Sequence, residues 1–285
     1  MLLTVLFPSF GQEGQNRFDV SGSVDWVRGE VYTQASFNLA QAGLKLPSGR
    51  FMGEEILREA SPRLVRPYLL CLRVDSNSTV EDIVNKGELS LEELDSMSAE
   101  AEKIPPSLSA DLTCMIGRYT VLMEKISALL TRHRRAVEPE RPLVPVQTAD
   151  YTGIIIIADM ELPIHGRNAW GLVEPCLSPK IWDTNMNLVY ERNMTDPARK
   201  EGALIVRYAA AESIFRPTPS GLDGDLAALV GPNPLRILAR EAFGINPTDL
   251  VIDRDDALKI LSGENNRLLL REGRVVLVLN EKMLK

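Results

Sequence analysis

Hydrophobic positions along this chain change period twice, and those changes set out its elements. Residues 18–27 and 30–39 alternate apolar and polar side chains, with Val20 and Val24 on one parity of the first run, Val31, Thr33, Ala35 and Phe37 on one parity of the second, and Arg28-Gly29 between them. Alternation of this kind predicts two half-buried strands joined as a hairpin. Residues 40–49 read as a loop punctuated by Gly43, Pro47 and Gly49. Helical spacing takes over at Ile56, Leu57, Leu64, Val65, Leu69 and Leu70. Pro62 and Pro67 fall inside that stretch and predict either two shorter helices or one kinked helix over residues 53–72. Ser78-Thr79 before Val80-Glu-Asp82 predicts a capped helix start, and Ser90 opens another with Glu92-Glu93 early. Pro105-Pro106 is expected to end that helical region. Residues 112–124 read as a strand or strand pair, and 126–133 as a closing helix or strand.

The second half is organised around Tyr151-Thr-Gly-Ile-Ile-Ile-Ile-Ala-Asp159. Four successive isoleucines are stiff at χ1, suit a pleated surface, and are apolar on both faces of a strand. Such a strand belongs in mid-sheet with both sides covered. Arg274-Val-Val-Leu-Val-Leu279 is a second wholly apolar run and its expected neighbour. Between the two lie an Ile181/Leu188 hairpin around the polar turn 183–187, strands over 202–211 and 235–243, and a short helix over 222–229. An extended segment over 249–252 follows, then a helix to Leu261 capped by Asp253. Residues 137–150 hold three prolines in fourteen positions and read as a linker. The expected organisation is α+β with two domains, 12–136 and 151–285, each a mostly antiparallel or mixed sheet with helices packed on it.

Composition narrows the function classes. The chain is 45% apolar and 25% charged, with a net charge of −7 and a pI near 5.1. An acidic balance argues against a nucleic-acid surface, which needs a basic face. No apolar run approaches the ~18–20 residues of a membrane-spanning helix. Residues 1–11 combine an apolar run with small residues at Ser9 and Gly11, the length and finish of a signal-peptide remnant. An ordinary buried first strand is the other reading of the same residues. Export to the periplasm is the expectation. Cys71, Cys114 and Cys176 have no C-x-x-C spacing and each is expected to behave as a small buried hydrophobe.

No catalytic or metal motif is complete. Asp183-Thr-Asn185-Met-Asn187 has the start of a calcium loop, but Leu188 and Met194 stand where glycine and glutamate are required. A hairpin turn accounts for the same residues. His133 lies in Arg132-His-Arg134-Arg135, a solvated basic segment or, alternatively, an anion or lipid-headgroup site. No zinc spacing surrounds either histidine. Asp159 and Glu161, directly after the isoleucine strand, and His165 beyond them are the candidates for a pocket. No cofactor is called for.

Several stretches carry a resemblance. They are the 151–159 opening, Cys176-Leu-Ser-Pro-Lys-Ile-Trp-Asp183, Gly231-Pro-Asn-Pro-Leu-Arg-Ile237, Asp249-Leu-Val-Ile-Asp253 and the 274–279 run. Their order resembles the C-terminal domain of the Lpp-type lipoprotein family of FlgP-like flagellar-assembly proteins. Val20-Ser-Gly-Ser-Val-Asp-Trp26 and Leu46-Pro-Ser-Gly-Arg50 look like uncharacterised spirochaete relatives. Met160-Glu161 departs from the family's Arg-Gly, and no lipobox cysteine follows the apolar leader. The resemblance implies a non-enzymatic, exported envelope protein, a structural or assembly module at the outer membrane or flagellar motor that forms homo-oligomers. The alternative is a periplasmic ligand-binding or hydrolytic protein using Asp159, Glu161 and His165.

Overall fold

The computed structural model describes residues 17–99, 101–197, 204–216, 218 and 221–285; the expected leader at 1–11 lies outside them. The first domain is one four-stranded antiparallel sheet with helices on a single face. Its elements are β1 (Asp19–Asp25), β2 (Glu30–Asn38), α1 (Gly49–Leu70), α2 (Val80–Asn85), α3 (Leu91–Ala99), β3 (Glu102–Leu108), β4 (Cys114–Leu122) and α4 (Met123–Leu130). The strand order is β1-β2-β4-β3. On β2, Val31, Thr33, Ala35 and Phe37 alternate inward and pack against Leu57, Leu64 and Val65 of α1, the arrangement that period-two alternation dictates.

Of the two readings of residues 53–72, the single helix holds: α1 is one helix of 22 residues that runs through both prolines. The Ser61 hydroxyl donates to Arg58 O at 2.9 Å, occupying the carbonyl that Pro62 cannot bond, and Pro67 is exposed, so solvent reaches the second break. Pro105 and Pro106 lie inside β3 instead of ending the region. β3 is an edge strand with two register shifts, a position where a missing N–H is tolerated. The α2 start follows the sequence: Thr79 Oγ1 accepts from Asp82 N while Thr79 N donates to Asp82 Oδ2. Ser90 and Glu93 form the same reciprocal pair ahead of α3.

Residues 131–153 carry neither helix nor strand. The second domain then adds β5 (Ile154–Ala158), β6 (Leu162–Pro163), β7 (Trp170–Gly171), β8 (Ile181–Asp183), β9 (Leu188–Tyr190) and β10 (Arg207–Ala210). It continues through α5 (Gly224–Val230), β11 (Leu235–Leu238), β12 (Glu241–Phe243), β13 (Asp249–Ile252), α6 (Arg254–Ser262), α7 (Glu264–Arg271) and β14 (Val275–Leu279). One sheet, β10-β14-β5-β11, is parallel throughout, and β5 lies beside β14 as expected, Ile154 opposite Val275 and Ile156 opposite Leu277. Ile155 and Ile156 are both fully buried on opposite faces. Ile155 joins Val276, Val278 and the α5 side chains Leu226 and Val230; Ile156 joins the main core.

The stretch read as one strand over 235–243 is two. Ala239 N donates to Ile157 O in the parallel sheet, and the next residue, Arg240, donates to Val251 O in the mixed sheet β12-β13-β8-β9. The chain changes sheets between adjacent residues. Arg240 also pairs with Asp253, which therefore does not cap α6 through its side chain.

The two domains share one continuous core, with Trp26, Val74, Leu177, Ile205 and Tyr208 in the same cluster. Main-chain bonds cross between them: Leu177 N to Arg73 O at 2.9 Å, Ser178 N to Val74 O at 2.8 Å and Trp26 N to Leu284 O at 3.1 Å. Arg73 Nε lies 3.2 Å from Glu174 Oε2 beside them.

Candidate functional site

The hairpin between β6 and β7 holds His165. Ile164 N donates to Ala169 O at 2.9 Å, and His165 N donates to Ala242 O at 2.8 Å, so the imidazole is laid along the outer face of the mixed sheet. Its Nδ1 lies 2.5 Å from Glu241 Oε2. The ring stands edge-on to Phe243, centroids 5.7 Å apart, and Phe243 stands edge-on to Trp182 at 5.8 Å. Lys180 Nζ sits 5.8 Å from the Trp182 ring centre. Trp182 Nε1 donates to Asp249 Oδ2 at 3.2 Å.

Asp249 is the buried end of this line. It also accepts from Lys180 N and Thr248 Oγ1. Burial raises its carboxyl pKa above the usual value; the bonds from Trp182, Lys180 N and Thr248 and the charge of Lys180 act in the opposite sense. Cys176, fully buried nearby, has its thiol pushed far up by the same desolvation.

The sequence candidates are not brought together by direct bonds. Asp159 is half-buried and its carbonyl accepts from Asn280 Nδ2 at 2.8 Å; Glu161 is exposed. Among the described residues no hydrogen bond or ion pair joins either carboxylate to His165. The carboxylate that meets the imidazole is Glu241, 76 residues away along the chain. No local spacing announces that pair, because it is made by two hairpins of different sheets meeting.

The other candidate motifs resolve locally. Asp183 Oδ1 accepts from Asn185 N and Asn187 N, and Asn187 Nδ2 donates to Oδ2, so the calcium-like spacing closes the β8–β9 turn, with Met186 at a φ of 59°. His133 Nε2 is 2.8 Å from Thr195 O. Among the described residues no group of three or more His, Cys, Asp or Glu is placed to hold a metal ion, and no helix is long and apolar enough to cross a membrane. Cys114 is half-buried and Cys71 exposed, which corrects the expectation of three buried thiols. Cys71 follows directly on the end of α1, where the chain turns back at the surface.

Residues 17–129 match the family model of the N-terminal domain of Treponema pallidum Tp0624, and residues 153–281 match the model of its second domain. Both matches are to domains of one spirochaete protein, in the same order, and neither is to the flagellar-assembly family that the C-terminal motifs resemble. Among curated proteins, none matches this chain at a significant level.

Proposed function

We propose that this chain, whose halves are similar to the first two domains of Tp0624, is a non-enzymatic structural or assembly module of the cell envelope. In this reading it is exported to the periplasm and assembles with copies of itself. The observation that supports it best is the contrast between the two edges of the first sheet. β3 is blunted by Pro105, Pro106 and two register shifts. β1 is a regular seven-residue strand that, among the described residues, pairs only with β2. The Tyr68 hydroxyl donates to Val20 O at 3.4 Å near one end of this strand; an edge without prolines or register shifts is the kind that takes strand addition along its remaining length.

Charge decides which copy-to-copy geometry that edge favours. Antiparallel pairing of β1 with a second β1, centred on Gly22, would set Asp19 opposite Asp25 at both ends. Like charges directly across a ladder are destabilising. A closed dimer through β1 is therefore disfavoured, and head-to-tail addition onto another part of a neighbouring copy is the better fit. Contacts of that type generate rings or filaments.

Sedimentation velocity over a micromolar concentration series tests this directly. Oligomers larger than a dimer are expected for the wild-type chain. The Asp19→Lys variant, which sets an ammonium group opposite Asp25 at both ends of the same ladder, should shift the population toward dimers. A monomer at every concentration for both proteins would defeat the assembly reading.

A further inference from the structure

The connection between the domains, residues 131–150, carries neither helix nor strand and is held to the second domain at intervals. His133 Nε2 lies 2.8 Å from Thr195 O, and Val137 N donates to Asn193 O at 2.8 Å. Pro139 is buried. Val146 N donates to Ser262 Oγ and Tyr151 N to Asn266 Oδ1, both at 3.0 Å. Between these fixed points the chain bends at Leu143-Val144, and that bend is a protruding tip: Leu143 is fully exposed and Val144 is 78% exposed. Pro142 and Pro145 bracket the tip and fix φ on either side of it.

Two features separate this stretch from an ordinary solvated connection. The first is apolar. Single exposed aliphatics are normal on a protein surface, whereas here two adjacent ones crown a stiffened tip, and Val137 is exposed on the same connection. Leu143 is the most exposed large apolar side chain among the described residues. The second feature is charge. Residues 132–146 hold Arg132, Arg134, Arg135 and Arg141 against Glu138 and Glu140, a balance of +2 in a chain whose total is −7. Arg134, Arg135 and Arg141 are exposed, and among the described residues none of them makes an ion pair. The two glutamates flank buried Pro139, where the connection is pressed onto the domain.

We propose that residues 132–146 are the face through which this chain rests on an anionic lipid surface. Leu143 and Val144 enter the boundary between headgroups and acyl chains, and Arg134, Arg135 and Arg141 meet the phosphates around them. Apolar burial and the attraction of basic side chains to anionic lipid reinforce each other at such a surface. The bracketing prolines shape the tip in advance, which lowers the ordering cost of insertion. Charge selects the occupant: the acidic remainder of the chain is repelled by an anionic surface, so this basic stretch is the side that faces it. The inference goes beyond self-assembly and stands on residues other than β1, so either can fail without the other.

Flotation of the full chain with two kinds of vesicle tests it: pure phosphatidylcholine, and phosphatidylcholine containing one-third phosphatidylglycerol. The chain is expected to bind the anionic vesicles at least about tenfold more tightly than the neutral ones, and to be released as NaCl is raised from about 0.05 M to about 0.5 M. Leu143→Asp and the double variant Arg134→Gln/Arg135→Gln should each weaken that binding by about tenfold. Neither should move the thermal midpoint, because all three side chains are exposed. Binding that neither variant weakens would place the contact elsewhere on the chain and overturn the proposal. Equal binding to both kinds of vesicle, or binding to neither, would overturn it as well.

Discussion

Trp26 of the first domain stands edge-on to Tyr208 of the second, with ring centroids 5.7 Å apart and planes at 79°. Tyr208 is locked in turn: its hydroxyl donates to Cys176 O at 2.8 Å and accepts from Cys176 N at 3.0 Å. Burial pushes the phenol pKa well up, so the hydroxyl keeps its proton and its donor role. An indole from one sheet thus closes over a tyrosine that organises the other. Domains joined this way should unfold together.

The Trp26→Ala variant tests that coupling. Removing a buried indole costs about 3–5 kcal/mol. Urea denaturation followed by circular dichroism should show one transition in both proteins, displaced to lower urea in the variant. A second transition that stays at the wild-type midpoint would mean that the second domain stands without the first.

A second prediction concerns the two faces of β5. Ile155 and Ile156 are each fully buried, one against α5 and one in the shared core. Aspartate at either position buries an unpaired carboxylate, which cannot be offset in an apolar environment. Both Ile155→Asp and Ile156→Asp should therefore abolish the cooperative thermal transition. If one of them melts at the wild-type temperature, that face of the sheet is not closed.

How much of this was legible follows from which interactions are local. The isoleucine run declared a two-sided strand because every residue in it is apolar, and Arg28-Gly29 marked a hairpin because a turn residue separates two alternating runs. Continuity of α1 through Pro62 was left open: the rescue that decides it comes from Ser61, a residue that reads as ordinary in a helix. The break between β11 and β12 was hidden for a different reason. Leu235 to Phe243 holds no glycine, proline or other turn residue, yet Ala239 and Arg240 bond to different sheets. The site suffered most. Asp159 and Glu161 lie within six residues of His165 in sequence, whereas Glu241 meets it only through tertiary pairing.

Gly244 offers a third test. Its φ is +114°, a region that side chains rarely adopt, and a Cβ there would collide with Ser76 Cβ in the first domain. Asn246, two residues on, donates from both its main-chain N and its Nδ2 to Ser76 O. Gly244→Ala therefore strains the backbone and pushes apart a point where the domains touch. A loss of more than about 1 kcal/mol is expected, against the gain that alanine gives at an unstrained site. Chemical denaturation measures it; a neutral or stabilising result would mean that the turn relaxes freely.

The last prediction follows from Asp249. Its folded-state pKa is raised by burial above the ordinary 3.8. An acid in that condition binds its proton more tightly in the native state than in the unfolded one. Its contribution to stability is fully present below the unfolded pKa and is lost as pH rises through the folded pKa. The charged form at neutral pH is a native-state cost, offset in part by donation from Trp182, Lys180 N and Thr248. Asp249→Asn keeps the size and removes the titration. It also turns an amide NH₂ toward a set of donors, so it should lower stability at acid pH, where the native carboxyl is protonated. Subtracting the variant's unfolding free energy from the wild type's cancels the other titrating groups. That difference should decrease as pH is raised from about 3 toward 7, flattening once Asp249 is ionised in both states. A difference that grows with pH instead would show that the three donors and Lys180 outweigh desolvation, making the buried carboxylate a stabilising anion.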